Sequence, residues 1–178
     1  MQPKPFGKNT GAALITCLML LVVMTLLGVS AITTSTMEEK MAGNVRNKHI
    51  SFHAAETALR AGEAIAANLP ADTVFTDATN PTGTTTGLYS RSNALDANYP
   101  LWEDANAAWQ DVATSDSLVV QDPQYIIESY SNAPRDNDCI LEVPLPAGCM
   151  LPVYRITARG WGINTNGISI IQSTYKQL

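Results

Sequence analysis

Cys139 and Cys149 are the pair whose residue type and spacing most directly imply chemistry. They flank a Pro/Gly-rich stretch, and no CxxC pair with a second ligand pair is present, which disfavours a structural zinc site. A disulfide between them is expected if this part of the chain reaches an oxidising compartment, the other reading being two free buried cysteines. By the chain-entropy relation, closing that loop would contribute about 2.8 kcal/mol. His49 and His53 stand four residues apart, with Glu56 three further on. Two such imidazoles can share a metal, but the ordinary reading is polar positions where a helix meets its domain or a neighbouring chain. Asp136-Asn137-Asp138 has the composition of a calcium-loop fragment without the spaced ligands and final glutamate, so a solvated turn is expected. With only two histidines, close together, no Ser-His-Asp or Cys-His arrangement emerges, and no glycine-rich phosphate loop is present. No catalytic, cofactor-binding or metal-binding residue is expected, and an enzyme is disfavoured.

The elements that carry these residues follow from charge and hydropathy. At 178 residues the chain has room for one folded domain plus an appendage. Only 15% of residues are charged, against about 25% in an average soluble domain. The shortfall is local, since Asn9 to Met37 carries no charge at all. Net charge is −5 and pI about 4.9, which argues against nucleic acid, since phosphate binding needs a basic patch and the sequence shows none. Ala12 to Ile32 is long enough, at about 1.5 Å per residue, to cross a hydrocarbon core of about 30 Å. Lys4 and Lys8 precede it, so the positive-inside rule puts the short N-terminus in the cytoplasm and the rest outside. A cleaved secretory signal ending at Val29-Ser30-Ala31 competes with this reading, but the apolar run is too long for one and a helical pattern continues past it.

That pattern is Met37, Met41, Val45, Phe52, Ala55, Leu59, Ala66 and Leu69, at steps of three, four or seven. Charged residues fill much of the opposite face, and Glu56–Arg60 is a favourably ordered i,i+4 pair. Proline is absent between Gly11 and Leu69, and Pro70 supplies the stop. The expectation is one helix of about 58 residues, roughly 87 Å long. Beyond it, Ala71 to Ser92 reads as a loop. Pro100 to Ala113 reads as a short helix, with Trp102, Ala105, Trp109 and Val112 on one face. The two tryptophans are then core residues over a sheet, or, as a minority reading, exposed anchors for a partner. Leu118–Gln121, Gln124–Tyr130, Val153–Gly160 and Ile168–Tyr175 read as strands, with a hairpin turn over 160–167. The fold class is α+β, with an antiparallel sheet covering the apolar stripe of the helix's outer half.

A helix that is half membrane anchor and half domain spine, behind a short basic leader, resembles a type IV pilin. Lys8-Asn9-Thr10-Gly11 before the apolar run resembles a leader site cut after glycine by a prepilin peptidase. Two longer stretches resemble PilX-type minor pilins of type IV pilus assembly. One runs from Glu38-Glu39-Lys40-Met41-Ala42-Gly43-Asn44-Val45-Arg46 through Phe52-His53-Ala54-Ala55-Glu56-Thr57-Ala58-Leu59-Arg60-Ala61-Gly62-Glu63. The other is Tyr154-Arg155-Ile156-Thr157-Ala158-Arg159-Gly160 with Ile171-Gln172-Ser173-Thr174-Tyr175.

The resemblance implies a division into a leader (1–11), a transmembrane or filament-core helix (12–33), an amphipathic half-helix (34–69) and an α+β pilin domain (70–178). Cleavage between Gly11 and Ala12, with methylation of the new N-terminus, goes with it. Expected partners are other minor pilins, the major pilin, the inner-membrane assembly machinery, the prepilin peptidase and a tip-associated adhesin. The chain would lie single-pass in the inner membrane before assembly and in the extracellular pilus after it, priming or capping the filament and supporting twitching motility and adhesion. Most pilins carry glutamate at the fifth mature position, which is Thr16 here. Threonine can hydrogen-bond but cannot neutralise an N-terminal ammonium in an apolar core. That absence resembles PilX pilins and the pseudopilin proposed at the tip of type II secretion filaments, and suggests a place at or near the tip. The alternatives are a secreted or membrane-anchored binding domain and a type II secretion pseudopilin.

Overall fold

The structure is a computed structural model that describes residues 10–70, 72–77, 86–90 and 101–177. Most of the expected leader lies outside the described residues, as do Pro100 and much of the expected 71–92 loop. Helix α1 runs from Thr10 to Ala67. The chain divides into two compact units, residues 1–44 and 45–178.

Within the first unit, α1 presents a bare apolar surface. Every described side chain from Ala13 to Asn44 is exposed. Leu14, Met24 and Ile32 are 67%, 70% and 65% exposed. This is the only helix among the described residues that is long and apolar enough to cross a membrane. Its threonine hydroxyls from Thr16 to Thr36 are turned onto their own helix. Thr16, Thr25 and Thr33 donate to the carbonyls of Ala13, Val22 and Ser30 at 2.8–2.9 Å. Such back-bonding satisfies the donors without water, as an apolar medium demands.

In the second unit, residues 45–67 of α1 lie on a sheet. Strands β4 (Gln124–Pro134), β5 (Met150–Trp161) and β6 (Ile168–Lys176) form an antiparallel meander. The sheet is nevertheless mixed, because β1 (Thr76–Asp77) and β2 (Leu88–Ser90) add on the β4 side in parallel. A two-residue strand, β3 (Gln110–Asp111), pairs antiparallel with the start of β4. Strands of two or three residues carry no periodicity, so the antiparallel expectation could only see the long ones.

Small residues make the buried face of the helix. Ser51, Ala54, Ala55, Ala58, Gly62 and Ala66 are buried, recurring every three or four positions. A side chain on Gly160 of β5 would strike the backbone of Ser51 and Ala55, so glycine there lets strand and helix backbones touch. The expected stripe of large residues is therefore corrected in part. Leu59 and Leu69 join the core around Ile127, Tyr154 and Ile156, but Val45 and Phe52 remain 56% and 42% exposed. Close backbone approach selects alanine, serine and glycine, and large side chains are turned outside the contact.

The opposite face of the sheet is covered as well, by Tyr89, Leu101, Ala107 and Trp109 over Ile126. This covering is not the expected helix over 100–113. Leu101–Glu103 makes a single 3-10 turn. The Asp104 carboxylate then accepts from the Asn106 N–H at 2.7 Å, a local bond that competes with helix continuation. Leu118–Gln121 is likewise a turn rather than a strand, because Asp116 accepts from Leu118 N–H at 2.9 Å. The helix end is closed by the last strand's neighbour, Gln177, which donates to the Ala67 and Leu69 carbonyls.

Candidate functional site

The residues singled out for chemistry do not converge. Gly11 and Ala12 lie in the first turns of α1. The Thr16 hydroxyl proton goes to the Ala13 carbonyl 2.9 Å away, so toward a neighbouring ammonium its oxygen acts as an acceptor. Cys17 is a free, exposed thiol. His53 Nδ1 lies 3.3 Å from Glu56 Oε2, while His49 is exposed one turn earlier. No group of three metal-ligating side chains forms among the described residues. Asp136 accepts from the Cys139 N–H at 2.9 Å and pairs with Arg135 at 3.1 Å. These bonds, the Cys139 amide first, hold its carboxyl below the usual carboxylate range. The Asp-Asn-Asp run is thus a capped turn.

Cys139 and Cys149 are joined in a disulfide with their Cα atoms 5.6 Å apart. Both are buried. The bond closes the β4–β5 connection, whose base is also fixed by Arg135 N–H donating to the Cys149 carbonyl at 2.7 Å. Gly148, at φ 79°, turns the chain into Cys149 in a conformation that favours glycine. The loop held on this frame exposes large apolar side chains. Val143 is 95% exposed and Leu141 78%.

On the sheet face away from α1, Arg155 donates to both carboxylate oxygens of Glu128, at 2.8 and 2.6 Å. Glu128 is 1% exposed, and no buried polar side-chain atom is left without a partner among the described residues. The Arg155 guanidinium also faces Trp102 and Tyr130, 5.8 and 5.5 Å from the ring centroids. Tyr130 sits where the β4–β5 register shifts between Ser129 and Ser131, so a bulge supplies that ring. Arg159 repeats the arrangement, 3.9 Å from the Trp109 ring and 5.1 Å from Trp161, and donates to Gln124 at 2.7 Å. Burial pushes the Arg159 guanidinium below its ordinary value, opposed by the charge of Asp111. Trp109 therefore both packs on the apolar cluster over Ile126, as expected of a core residue, and covers Arg159, while Trp102 covers Arg155. Sequence reasoning missed both arginines. Glu128 in Tyr-Ile-Ile-Glu-Ser and Arg155 in Val-Tyr-Arg-Ile-Thr were the signal, each a charge set in an apolar strand.

At the other end of the sheet, Asn47 accepts from the Ile163 N–H at 2.7 Å and donates to Asn164 at 3.0 Å, docking the β5–β6 turn on the helix. Lys48 donates to the Ile168 carbonyl, and the Ser51 and Ser169 hydroxyls meet at 2.6 Å. These groups fix elements and present no reactive centre. What remains for function is surface: a bare apolar helix in one unit, and in the other a fixed domain with an apolar loop. Residues 10–60 match the family model PilX N-terminal, and residues 70–177 match the model for type IV pilus assembly protein PilX C-term. No curated protein and no solved structure matches the chain.

Proposed function

The chain belongs to the PilX family of type IV pilus assembly proteins, and from that premise we propose that it is a minor pilin that primes or caps the filament at or near its tip. The observation that carries this reading is the helix over residues 13–37. It is uncharged, exposed along its whole length and self-satisfied at its threonine hydroxyls. A surface of that kind has two partners open to it, a bilayer and a bundle of like helices, and a pilin uses both in turn.

On this reading residues 1–11 are a leader removed by the prepilin peptidase after Gly11, and Ala12 becomes a methylated N-terminus. Residues 12–33 cross the inner membrane once with the N-terminus in the cytoplasm, and later pack in the filament core. Residues 34–69 and 70–178 are the amphipathic half-helix and the exported pilin domain, and export suits the disulfide. Other minor pilins, the major pilin, the assembly machinery and a tip adhesin are its partners, with twitching and adhesion as the outcomes. Thr16 supports the tip position, since a subunit with no neighbour on one side has less need of a counter-charge.

Deleting the gene tests this reading. Surface pili counted by electron microscopy should fall sharply, the full chain should restore them, and a Gly11→Val chain, which blocks the cleavage site, should not. Normal pilus numbers in the deletion strain would contradict the priming role.

A further inference from the structure

The β4–β5 loop combines a fixed base with an outward apolar surface. Leu141, Val143 and Leu145 are 78%, 95% and 56% exposed, and Ile140 and Met150 beside them are 48% and 45% exposed. The frame that holds them is closed by the disulfide, by the Arg135–Cys149 backbone bond and by the Asp136 cap on Cys139. These side chains are thus held outward by structure. Exposed apolar residues grouped on one turn mark interaction sites more often than scattered ones do.

The charges around the loop narrow what can cover it. Arg135 is engaged by Asp136, and Lys176 donates to the carbonyls of Pro134 and Arg135 at the base. Asp138 and Glu142 are exposed, and among the described residues no ion pair reaches either. The loop is therefore an apolar tip with an anionic border. A bilayer rich in anionic lipid would repel that border. A second copy would bring like carboxylates together, and each chain carries a net charge of −5.

We propose that the 135–149 loop docks a different protein, through a contact surface that is apolar and bordered by lysine or arginine. Apolar side chains supply the buried centre of such a contact, and the opposite charges at the rim select the partner and set its orientation. The inference does not depend on where in the filament the chain sits.

The test uses the full chain in living piliated cells, with a benzophenone amino acid replacing Val143 and a second strain carrying it at Val74. Val74 is also strongly exposed, at 85%, but lies outside the loop. After irradiation, adducts are separated and their peptides mapped by mass spectrometry, and non-reducing electrophoresis checks that the disulfide has formed in every variant. From Val143 one heterologous protein is expected, joined through a segment in which apolar residues are flanked by lysine or arginine. Adding Asp138→Lys and Glu142→Lys should lower the yield at least tenfold, and changing the mapped basic residues of that protein to glutamate should restore it. An adduct with a second copy or with phospholipid would overturn the proposal. So would the absence of any adduct, the same adduct from Val74, or a yield indifferent to charge reversal. Finding the adduct in membranes but not in filaments would count against the tip position while leaving the docking surface intact.

Discussion

Arg155 and Glu128 show how a single buried charge is kept affordable. The pair is bidentate, so each charge that lost water has gained hydrogen bonds, and the guanidinium also gains the faces of Trp102 and Tyr130. Replacing Arg155 with Leu leaves Glu128 buried and alone, and should cost about 3–5 kcal/mol in urea unfolding of the detergent-solubilised chain. The double replacement Glu128→Leu with Arg155→Leu should cost clearly less than that single one. Equal costs would mean that the ion pair does not matter as a pair. At Gly160 the obstacle is backbone, which cannot swing aside. Gly160→Ala should therefore destabilise by about 1–3 kcal/mol, read by the same unfolding curves. For Thr16 the expectation concerns place. A Thr16→Glu chain gains a counter-charge for a neighbour's N-terminus, and immunogold labelling should spread from filament ends along the shaft. Labelling that stays at the ends would remove Thr16 from the argument for a tip position.

Among the elements, the long strands and the helix were legible because their patterns repeat. Gln124–Tyr130, Val153–Gly160 and Ile168–Tyr175 all fall inside β4, β5 and β6. The failures have local causes. Trp102, Ala105, Trp109 and Val112 have helical spacing, yet Asp104 closes a side-chain turn and sends the chain into β3. Large residues in the helix pattern drew attention from the alanine, serine and glycine face that meets the sheet. Two predictions concern the sheet and its loop. Opening the disulfide by Cys139→Ser with Cys149→Ser should lower stability by about 2.8 kcal/mol by the chain-entropy relation, measured against the parent chain without reductant. Tyr89, Tyr125 and Tyr154 are held above the ordinary phenol value, chiefly by burial. A raised folded-state value means the native state keeps protons that the unfolded state releases. Their contribution is then complete below about pH 10 and lost as pH rises through the folded values. Stability should fall as pH rises above about 10, with the phenolate absorbance of these three rings appearing as the chain unfolds. Full phenolate absorbance from the folded chain at that pH would contradict the packing of both sheet faces.

For the whole molecule, the uncharged stretch from Asn9 to Met37 was the most legible feature, since nothing but an apolar surrounding tolerates it. The Glu128–Arg155 pair and the outward side chains of the 139–149 loop were not legible, because charge and apolarity along the chain do not reveal which groups meet or which are left uncovered. The central claim is that this PilX-family chain is processed after Gly11 and incorporated into a pilus. Its most direct test is the intact mass and N-terminal peptide of the chain recovered from sheared surface filaments. The account predicts a chain beginning at Ala12, with the added mass of a methyl group, in that fraction. A chain beginning at Ile32, or an uncut chain beginning at Met1 and confined to membranes, would contradict it.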